Sequence, residues 1–339
     1  MRVWFNKTFS SIHNALRLIR AADPGRNYEL VASSPNPNAL VRLAVDAFHE
    51  EPAGLRGLAY LEWCAAFCRR ERIDIFVPGK EAALIAGERE YFDACGTRVL
   101  SCATRPTLDL LHDKARFYAM VDCPEAPPPD WLACASPAQF DDAYACLKRE
   151  HAELCIKPAV SVYGIGFRRV REDCSAWHLF AGGHDYQIDL PSLRAMLQEQ
   201  AEFPVLLVME FLGGHEYSVD CVASHGNLKF AVARRKPLRA GQGQTIDTRA
   251  DIEAACARIV RQFGLNGWVN IQFREGRRGL RLLEVNPRMS GGIAMACLAG
   301  PNLPFLGLAG FDRGYDRLDA PAATAGLRVA ELNHAVALQ

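Results

Sequence analysis

The stretch from Trp268 to Arg288 carries the clearest pattern in this 339-residue chain, reading WVNIQFRE at 268–275 and LLEVNPR at 282–288. Apolar and polar residues alternate in both parts, as they do along half-buried β-strands. The short segment between them contains Gly276 and Gly279, and these glycines favour a tight turn. The stretch therefore predicts a β-hairpin in which each strand has one polar face.

Oxygen-bearing side chains lie on those polar faces. Because side chains alternate along a strand, Asn270 and Gln272 lie on one face of the first strand. Glu284 and Asn286 likewise share one face of the second strand. Amide and carboxylate oxygens suit Mg²⁺, together with phosphate oxygens and water. A turn-capping role for Glu284 and Asn286 explains the same residues equally well, so both interpretations stay open at this point.

The residues that follow the hairpin indicate an anion-binding turn. Pro287 ends the second strand, and Arg288 comes directly after it. The run Ser290-Gly291-Gly292 then predicts exposed backbone N–H groups at the start of the next helix. Such a helix start is a favourable position for an anion.

Two lysines are candidates for binding phosphate. Lys157 lies in an apolar strand, where a charge is costly unless it is paired. The small residues after it include Gly164 and Gly166 and predict a loop able to fold over phosphates. A lysine at a loop edge is the more frequent explanation of this pattern. Lys114 lies on a helix predicted over Thr104–Val121, where a solvated lysine is the ordinary expectation.

The segment Met209–Val219 predicts a strand, a short bend and another strand. Backbone groups of such a bend can hydrogen-bond an adenine edge, and Glu216 can bind ribose hydroxyls. An ordinary hairpin through the two glycines of the bend is the alternative. Further along, the basic run Arg234–Lys236 precedes the loop Gly241–Gln244. This run either contacts phosphate or a substrate carboxylate, or forms a solvated edge.

The composition excludes several functional classes. The 39 basic and 39 acidic residues give zero net charge, which removes the electrostatic basis for non-specific nucleic-acid binding. No apolar run reaches the ~18–20 residues of a membrane span, and the first residues become polar too early for a signal peptide. The 12 cysteines include no C-x-x-C pair. We therefore expect reduced thiols in a cytoplasmic protein without nucleic-acid or membrane partners.

Lysine is rare in this chain. It accounts for only seven of the 39 basic residues, at positions 7, 80, 114, 148, 157, 229 and 236, and the rest are Arg. A coding bias toward Arg explains the ratio. The position of each Lys still matters, because Lys is a compact point charge on a flexible stem and Arg is a planar fork.

The first hundred residues alternate strand and helix patterns, which predicts an α/β domain with a small parallel sheet over residues 1–104. Strands are predicted at Arg2–Phe5, Tyr28–Ser33, Ile73–Val77 and Arg98–Cys102. Helices are predicted from the Ser10-Ser11 cap to Arg20, over Gly57–Arg72 and over Glu81–Cys95. No G-x-G-x-x-G follows the first strand, and no G-x-x-x-x-G-K-[ST] occurs. We therefore expect the nucleotide site elsewhere.

Beyond the stiff segment Glu125–Pro129, the predicted strands become longer and hairpin-like. Two α+β parts are expected. The first, over residues 105–208, holds the connecting helix and the glycine loop. The second, over residues 209–339, holds the metal hairpin and a C-terminal tail.

The order of these motifs resembles that of the ATP-grasp superfamily. Asp113-Lys114 comes first, Lys157-Pro158 with the glycine loop second, the two glutamates of the bend third, and Gln…Glu-x-Asn-Pro-Arg last. The resemblance covers residues from about 105 to 300, and the segment before them is similar to that family's N-terminal domain. Val-Asn-Ile-Gln-Phe and Glu-Val-Asn-Pro-Arg-Met-Ser are most similar to the carbamoyl-phosphate-synthetase large-chain-like branch. The resemblance implies an α/β N-terminal domain followed by a two-lobed α+β ATP-grasp fold.

The same resemblance implies a role for each matching residue. It implies that ATP is bound by Lys114, Lys157, Gly164, Gly166, Glu210, Phe211, Leu212 and Glu216. It implies that Mg²⁺, or Mn²⁺ in its place, is bound by Gln272, Glu284 and Asn286. It implies catalytic roles for Lys157 and Arg288. It implies substrate contacts from Arg235, Lys236, Arg288, Gly291 and Gly292.

The activity that the resemblance implies is that of an ADP-forming carboxylate–amine ligase acting on small molecules. The alternatives are a kinase of the same fold and a non-catalytic MgATP-binding module. Many ATP-grasp enzymes have Asp or Glu where this chain has Gln272, although the most similar branch also has Gln there. A monomer and a homodimer both stay open.

Overall fold

The computed structural model describes residues 1–7, 12–162, 164–182, 186–238, 243–332 and 335–337. Two compact units can be distinguished in it. Unit 1 comprises Met1–Asp109, Glu216–Gln272 and Val285–Gln339. Unit 2 comprises Leu110–His215 and Phe273–Glu284. The domain boundaries expected at residues 104 and 208 stay predictions.

Unit 1 begins with a parallel five-stranded sheet in the order β3-β2-β1-β4-β5. Its strands are β1 (Arg2–Phe5), β2 (Glu29–Ser34), β3 (Ala47–Glu50), β4 (Ile75–Val77) and β5 (Arg98–Val99). Its helices are α1 (His13–Ala22), α2 (Gly57–Glu71), α3 (Ala82–Gly87) and α4 (Glu90–Asp93), with a 3₁₀ turn at Leu40–Ala44. The parallel sheet predicted from the alternating pattern is confirmed.

Two details of this sheet differ from the sequence prediction. The strand β3 was not predicted, because its four residues are only partly buried and carry no clear alternation. The helix predicted over Glu81–Cys95 is two short helices, since α3 ends at Gly87, a residue of low helix propensity. The Ser10-Ser11 cap lies outside the described residues.

Aromatic side chains form the core on one face of this sheet. The ring of Trp4 stacks on that of Phe76 with centroids 4.1 Å apart and lies 4.4 Å from that of Phe67. The indole N–H of Trp4 donates to the Ser33 hydroxyl at 2.8 Å, so the buried ring has its polar group satisfied.

Unit 2 contains a mixed five-stranded sheet in the order β6-β10-β7-β8-β9, in which only the β8–β9 pair is parallel. Its strands are β6 (Trp131–Cys134), β7 (Leu154–Pro158), β8 (Arg168–Arg171), β9 (Gln187–Asp189) and β10 (Leu206–Glu210). The helices of this region are α5 (Arg105–His112), α6 (Lys114–Met120), α7 (Pro137–Lys148), α8 (Ala176–Ala181) and α9 (Leu190–Gln198).

The helix predicted over Thr104–Val121 is interrupted at Asp113. This residue has an extended backbone, and its carboxylate accepts hydrogen bonds from the N–H groups of Ala115 and Arg116. It is therefore the N-cap of α6, which fixes Lys114 as the first residue of that helix.

The third sheet has six strands in the order β15-β14-β11-β12-β13-β16. Its strands are β11 (Glu216–Ser224), β12 (Asn227–Arg235), β13 (Gln244–Asp247), β14 (Gly267–Gly276), β15 (Gly279–Asn286) and β16 (Arg328–Val329). The associated helices are α10 (Ala250–Gln262), α11 (Ile293–Cys297) and α12 (Leu303–Arg313), with a 3₁₀ turn at Tyr315–Arg317. The hairpin predicted around Gly276 and Gly279 is confirmed as β14 and β15.

Within unit 1, this sheet and the N-terminal sheet share one apolar core. Leu16 of α1, Trp268 of β14 and Leu303 of α12 belong to the same buried cluster. The indole N–H of Trp268 donates to the Leu303 carbonyl at 3.0 Å. Among the described residues, no helix is both long and apolar enough to cross a membrane.

Candidate active site

Lys114 and Lys157 of unit 2 both interact with the Glu284 carboxylate. Lys114 is only 6% exposed, so the expectation of a solvated lysine is wrong. Its ammonium group donates to the Ser161 carbonyl at 2.9 Å and lies 3.7 Å from a carboxylate oxygen of Glu284. The cap at Asp113 explains why Lys114 points inward, because the residue begins α6 rather than lying along an exposed helix.

Lys157 is held by a residue that the sequence analysis did not single out. Its ammonium group donates to the Tyr118 hydroxyl at 2.9 Å and lies 5.0 Å from the centroid of that ring. The Tyr118 hydroxyl in turn donates to the Leu283 carbonyl at 2.5 Å. Tyr118 follows Lys114 by four residues on α6, so it lies on the same helix face. That spacing was the available signal for it.

Burial shapes the electrostatics of this cluster. Burial lowers the pKa of Lys157 below its ordinary value, and the charge of Glu284 acts in the opposite direction. Burial likewise lowers the pKa of Lys114, again opposed by Glu284, while the nearby Lys157 lowers it further. Burial also raises the pKa of Tyr118 well above its ordinary value. Two neighbouring cations that disfavour each other in this way are stabilised by a multiply charged anion.

The glycine loop has the backbone that its glycines permit. Gly164 and Gly166 have φ values of +69° and +82°, in the left-handed region that favours glycine. A Cβ atom at Gly166 would lie 2.6 Å from a ring carbon of Pro158, so this position also needs glycine for space. Tyr163 lies outside the described residues. Closure of this loop over phosphates stays a prediction.

Glu210 takes part in a buried charged cluster of unit 2. The side chain is 5% exposed and accepts from the Arg281 guanidinium at 3.2 Å and from the Asp130 N–H at 3.1 Å. His151 Nδ1 lies 3.7 Å away. These partners were not identified from the sequence, and they use the carboxylate that was expected to face adenine. The adenine contact expected from Glu210 stays a prediction.

The two residues after Glu210 differ in their surroundings. Phe211 is half-buried, and the guanidinium groups of Arg169 and Arg274 lie 4.5 Å and 5.8 Å from its ring centroid. Leu212 is buried at 5% exposure. Their expected contacts with adenine stay predictions.

Two of the predicted polar residues pair with each other in unit 1. Glu216 begins β11 and Lys236 follows β12, and their side chains form an ion pair at 2.5 Å. The Lys236 N–H also donates to the Glu216 carbonyl at 2.7 Å. Arg235, by contrast, lies 4.0 Å from Asp247 at a partly exposed position. Of the loop that follows, Gly241 and Gln242 lie outside the described residues.

A buried polar network lies beside the first residues of β14 in unit 1. Gln272 and Asn270 share a face of β14, as predicted, and the Gln272 amide N–H donates to Asn270 Oδ1 at 3.2 Å. The Asn270 amide nitrogen donates to the Ser218 hydroxyl at 2.9 Å, to Asp220 Oδ1 at 3.1 Å and to the Val219 carbonyl at 3.2 Å. Asp220 and Arg234 are 1% and 2% exposed and form an ion pair at 3.0 Å.

Arg234 is therefore used inside the protein. Besides Asp220, its guanidinium donates to the hydroxyls of Ser218 and Ser290 and to the side-chain oxygen of Gln244. A Cβ atom at Gly292 would lie 2.6 Å from its Nη1 atom, so the glycine is required beside this side chain. The Arg234 contact with phosphate or substrate that the basic run suggested is replaced by this internal role.

Pro287 to Gly292 connect β15 to α11. Asn286 ends the strand, and its carbonyl accepts from the Arg288 N–H at 2.8 Å. The Arg288 guanidinium donates to the Met289 carbonyl at 3.1 Å. Gly291 and Gly292 immediately precede α11, so the predicted helix start is confirmed.

The chemistry of the predicted metal ligands fits Mg²⁺. Gln272 and Asn286 offer amide oxygens, and Glu284 offers a carboxylate. All three side chains are half-buried, and Glu284 and Asn286 leave the same face of β15. Hard oxygen ligands with a single carboxylate suit a Mg²⁺ ion that keeps phosphate oxygens and water as further ligands.

Comparison with known proteins identifies the fold. Residues 202–335 match a family model described as "ATP-grasp in the biosynthetic pathway with Ter operon". No curated protein matches the chain.

Three solved structures illustrate the structural similarity. N5-carboxyaminoimidazole synthetase from Staphylococcus aureus, complexed with ADP, aligns with a TM-score of 0.63 and 10% identity over 91% of this chain and 76% of its own. L-amino acid ligase from Bacillus licheniformis has a TM-score of 0.60 and 13% identity over 91% and 73%. The biotin carboxylase domain dimer of Hydrogenobacter thermophilus 2-oxoglutarate carboxylase, in complex with MgADP and bicarbonate, has a TM-score of 0.58 and 14% identity over 90% and 68%. The resemblance to the ATP-grasp superfamily is confirmed, and this chain has the ATP-grasp fold.

Proposed function

We propose that this chain is an ATP-dependent, ADP-forming ligase that activates a small carboxylate as an acyl phosphate and joins it to an amine. The observation that carries the proposal is the Lys114, Lys157 and Glu284 cluster of unit 2. Lys114 is buried and Lys157 is half-buried, and with one carboxylate 3.7 Å from Lys114 their ammonium groups supply positive charge for a phosphate chain. The fold and the order of the motifs support the same assignment.

The proposed nucleotide contacts come from four parts of the chain. Lys114 and Lys157 bind phosphate oxygens, and the backbone around Gly164 and Gly166 covers them. The segment Glu210–Leu212 receives adenine, chiefly through its backbone. Glu216 binds the ribose hydroxyls, for which its pairing with Lys236 has to loosen.

Gln272, Glu284 and Asn286 would hold Mg²⁺, with Mn²⁺ as a substitute. When bound, the ion neutralises charge on the phosphate oxygens. Arg288 follows these ligands in the chain and would stabilise the phosphoryl group during its transfer. Arg235, Lys236, Gly291 and Gly292 are the proposed substrate contacts. Positioning and charge neutralisation are the main contributions that phosphoryl transfer requires from a protein.

The proposed reaction has two steps. A carboxylate oxygen attacks the γ-phosphorus of ATP, the bond from that phosphorus to the bridging oxygen breaks, and ADP leaves with that electron pair. The amine nitrogen then attacks the carbonyl carbon of the acyl phosphate. Phosphate leaves, the nitrogen loses a proton, and an amide remains.

The structural neighbours support this class of reaction. One is named as an amino acid ligase, and two were solved with ADP or MgADP. One of the neighbours is described as a dimer. A homodimer is therefore the assembly that we propose, and light scattering on the purified protein tests it.

An ADP-release screen over pairs of small carboxylates and amines tests the activity. We expect release to require both substrates and the product to be an amide. Lys157→Ala and Glu284→Ala should each lower kcat by orders of magnitude. Lys148→Ala is the matched control, because Lys148 pairs with Glu172 on the partly exposed surface of α7 and should keep full turnover.

Three outcomes would contradict the ligase. A stable phosphorylated product that accumulates without an amine indicates a kinase. Tight MgATP binding without turnover on any pair indicates a non-catalytic module. Full turnover by Lys157→Ala removes the lysine from the mechanism.

A further inference from the structure

An amide side chain that binds a metal ion has to present its oxygen and not its NH₂ group. Gln272 is such a side chain under the proposed function, on which this inference rests. A glutamate would offer two equivalent oxygens in either orientation, whereas a glutamine offers a ligand in only one. Something in the protein therefore has to select the orientation of the Gln272 amide.

The orientation of the neighbouring Asn270 amide follows from its partners. Its nitrogen lies 2.9 Å from the Ser218 hydroxyl oxygen, which also accepts from Arg234. It also faces the Val219 carbonyl at 3.2 Å and the Asp220 carboxylate at 3.1 Å. Both groups only accept hydrogen bonds. Asn270 is 1% exposed, so reversing it would bury its oxygen against two acceptors without solvent to compensate.

Asp220 is itself fixed. Its Oδ2 atom accepts two hydrogen bonds from Arg234, at 3.1 Å and 3.0 Å, and its Oδ1 atom accepts from Asn270. Both residues of this ion pair are almost fully buried. The Asp220–Arg234 pair thus keeps the nitrogen of the Asn270 amide directed toward Asp220. The oxygen of the same amide is directed toward Gln272.

The Asn270 oxygen then determines the orientation of Gln272. It can only accept, and it receives the Gln272 Nε2 group at 3.2 Å. The Gln272 Oε1 atom is consequently directed away from Asn270. Oxygen is the atom that a Mg²⁺ ion requires.

We propose that Asn270, backed by Asp220, is a positioning residue that fixes the Gln272 amide with its oxygen available to the metal ion. Residues that orient a ligand in this way typically change metal affinity by 10–100-fold when they are replaced. The relay links the buried Asp220–Arg234 pair to metal binding without a direct contact between that pair and the ion.

Binding of Mn²⁺ in the presence of ADP, measured by electron paramagnetic resonance, tests the proposal without turnover. Asn270→Leu removes the amide at similar volume and should weaken Mn²⁺ binding on the order of tenfold. The decisive comparison repeats Asn270→Leu in a protein that also carries Gln272→Glu. There the affinity should stay within about twofold of the Gln272→Glu single variant, because a carboxylate needs no orientation.

A merely structural role for Asn270 would weaken Mn²⁺ binding equally in both backgrounds, and that result overturns the proposal. Asn227→Leu, at the exposed first residue of β12, is the matched control and should leave Mn²⁺ affinity unchanged. If Asn270→Leu does not fold, Asn270→Ala is measured in the same two backgrounds with the same expectation.

The proposed function and this inference fail in different ways. If the unaltered protein binds Mn²⁺ and ADP but Asn270→Leu has no background-dependent effect, only the inference is overturned. If the unaltered protein binds no Mn²⁺ with ADP, the proposed metal site and this inference are both overturned.

Discussion

The Lys157 ammonium group donates to the Tyr118 hydroxyl at 2.9 Å and lies 5.0 Å from the centre of the same ring. The Tyr118 hydroxyl donates a hydrogen bond to the Leu283 carbonyl, and its oxygen accepts from Lys157. The lysine is thereby held in one place before any anion arrives. Such preorganisation lowers the entropy lost when a phosphate binds.

Replacing Tyr118 by Phe tests this preorganisation. The ring stays in place under Lys157, but the hydrogen bond to a charged donor is lost. A hydrogen bond of this kind contributes roughly 1.5–3 kcal/mol, so ADP affinity should fall on the order of tenfold or more. Isothermal titration calorimetry with ADP measures the change.

Tyr91→Phe is the control for that substitution. Tyr91 lies in the N-terminal α/β region, and 39% of its surface is exposed. Its replacement by Phe should leave ADP affinity unchanged. Equal affinities for Tyr118→Phe and the unaltered protein would show that Lys157 does not depend on the hydroxyl.

The lowered pKa values of Lys114 and Lys157 predict a pH dependence of ADP binding. Burial lowers both pKa values from the ordinary 10.5. A bound phosphate chain stabilises the protonated forms, so binding takes up protons once the free lysines begin to lose them. ADP affinity should therefore fall as the pH rises, beginning below 10.5. Calorimetry in buffers of different ionisation enthalpy measures the proton uptake.

In the absence of nucleotide, these lysines change the free energy of unfolding with pH in the opposite direction. Between the lowered pKa and 10.5, the unfolded chain binds more protons than the folded protein, so the contribution of these lysines to the free energy of unfolding rises with pH. Lys157→Arg should flatten the decline in ADP affinity, because Arg stays protonated. An ADP affinity independent of pH up to 10.5 would contradict the lowered pKa values of both lysines.

Much of the fold was accessible from the sequence because local patterns determine it. The alternating pattern predicted strands over Trp268–Arg274 and Leu280–Val285, and the observed ends of β14 and β15 lie within two residues of these. Alternation on both sides of a turn with two glycines admits few other structures. The interruption at Asp113 was missed, although Asp is among the strongest N-cap residues. That signal was present and was outweighed by the continuous helical pattern around it.

The sequence did not predict which residues the candidate side chains contact. Arg234 lies opposite Ser218 in the β11–β12 register and reaches Asp220, fourteen residues before it. A basic run in a sequence does not reveal which of its side chains points into the protein. The same holds for two other candidate residues. Lys114 pairs with Glu284, and Glu210 pairs with Arg281, and both partners are distant in the sequence.

Removal of the N-cap tests whether Asp113 positions Lys114. Asp113→Ala should lower the free energy of unfolding by about 1 kcal/mol and weaken ADP binding. Asp113→Asn retains a capping oxygen, so its losses of stability and of ADP affinity should both be smaller. Ser136→Ala removes the equivalent cap of α7 and is the control. It should cost similar stability in urea unfolding while ADP affinity is retained. Loss of ADP affinity in both alanine variants would point to a general effect of helix stability.

The buried pair of Asp220 and Arg234 should dominate the stability of the third sheet. Arg234→Met leaves the Asp220 carboxylate buried without its cation, and Asp220→Leu leaves the guanidinium without its anion. Each should lower the free energy of unfolding by roughly 3–5 kcal/mol. The double variant removes both charges, so its loss should be clearly smaller than the sum of the two. Urea unfolding of the four proteins measures this coupling.

The control for that cycle is the ion pair of Lys148 and Glu172, which lies at a partly exposed position. Its two alanine variants should leave the midpoint of unfolding unchanged within error, because solvent screens such pairs. Strictly additive losses for Asp220→Leu and Arg234→Met would show that the two charges do not stabilise each other.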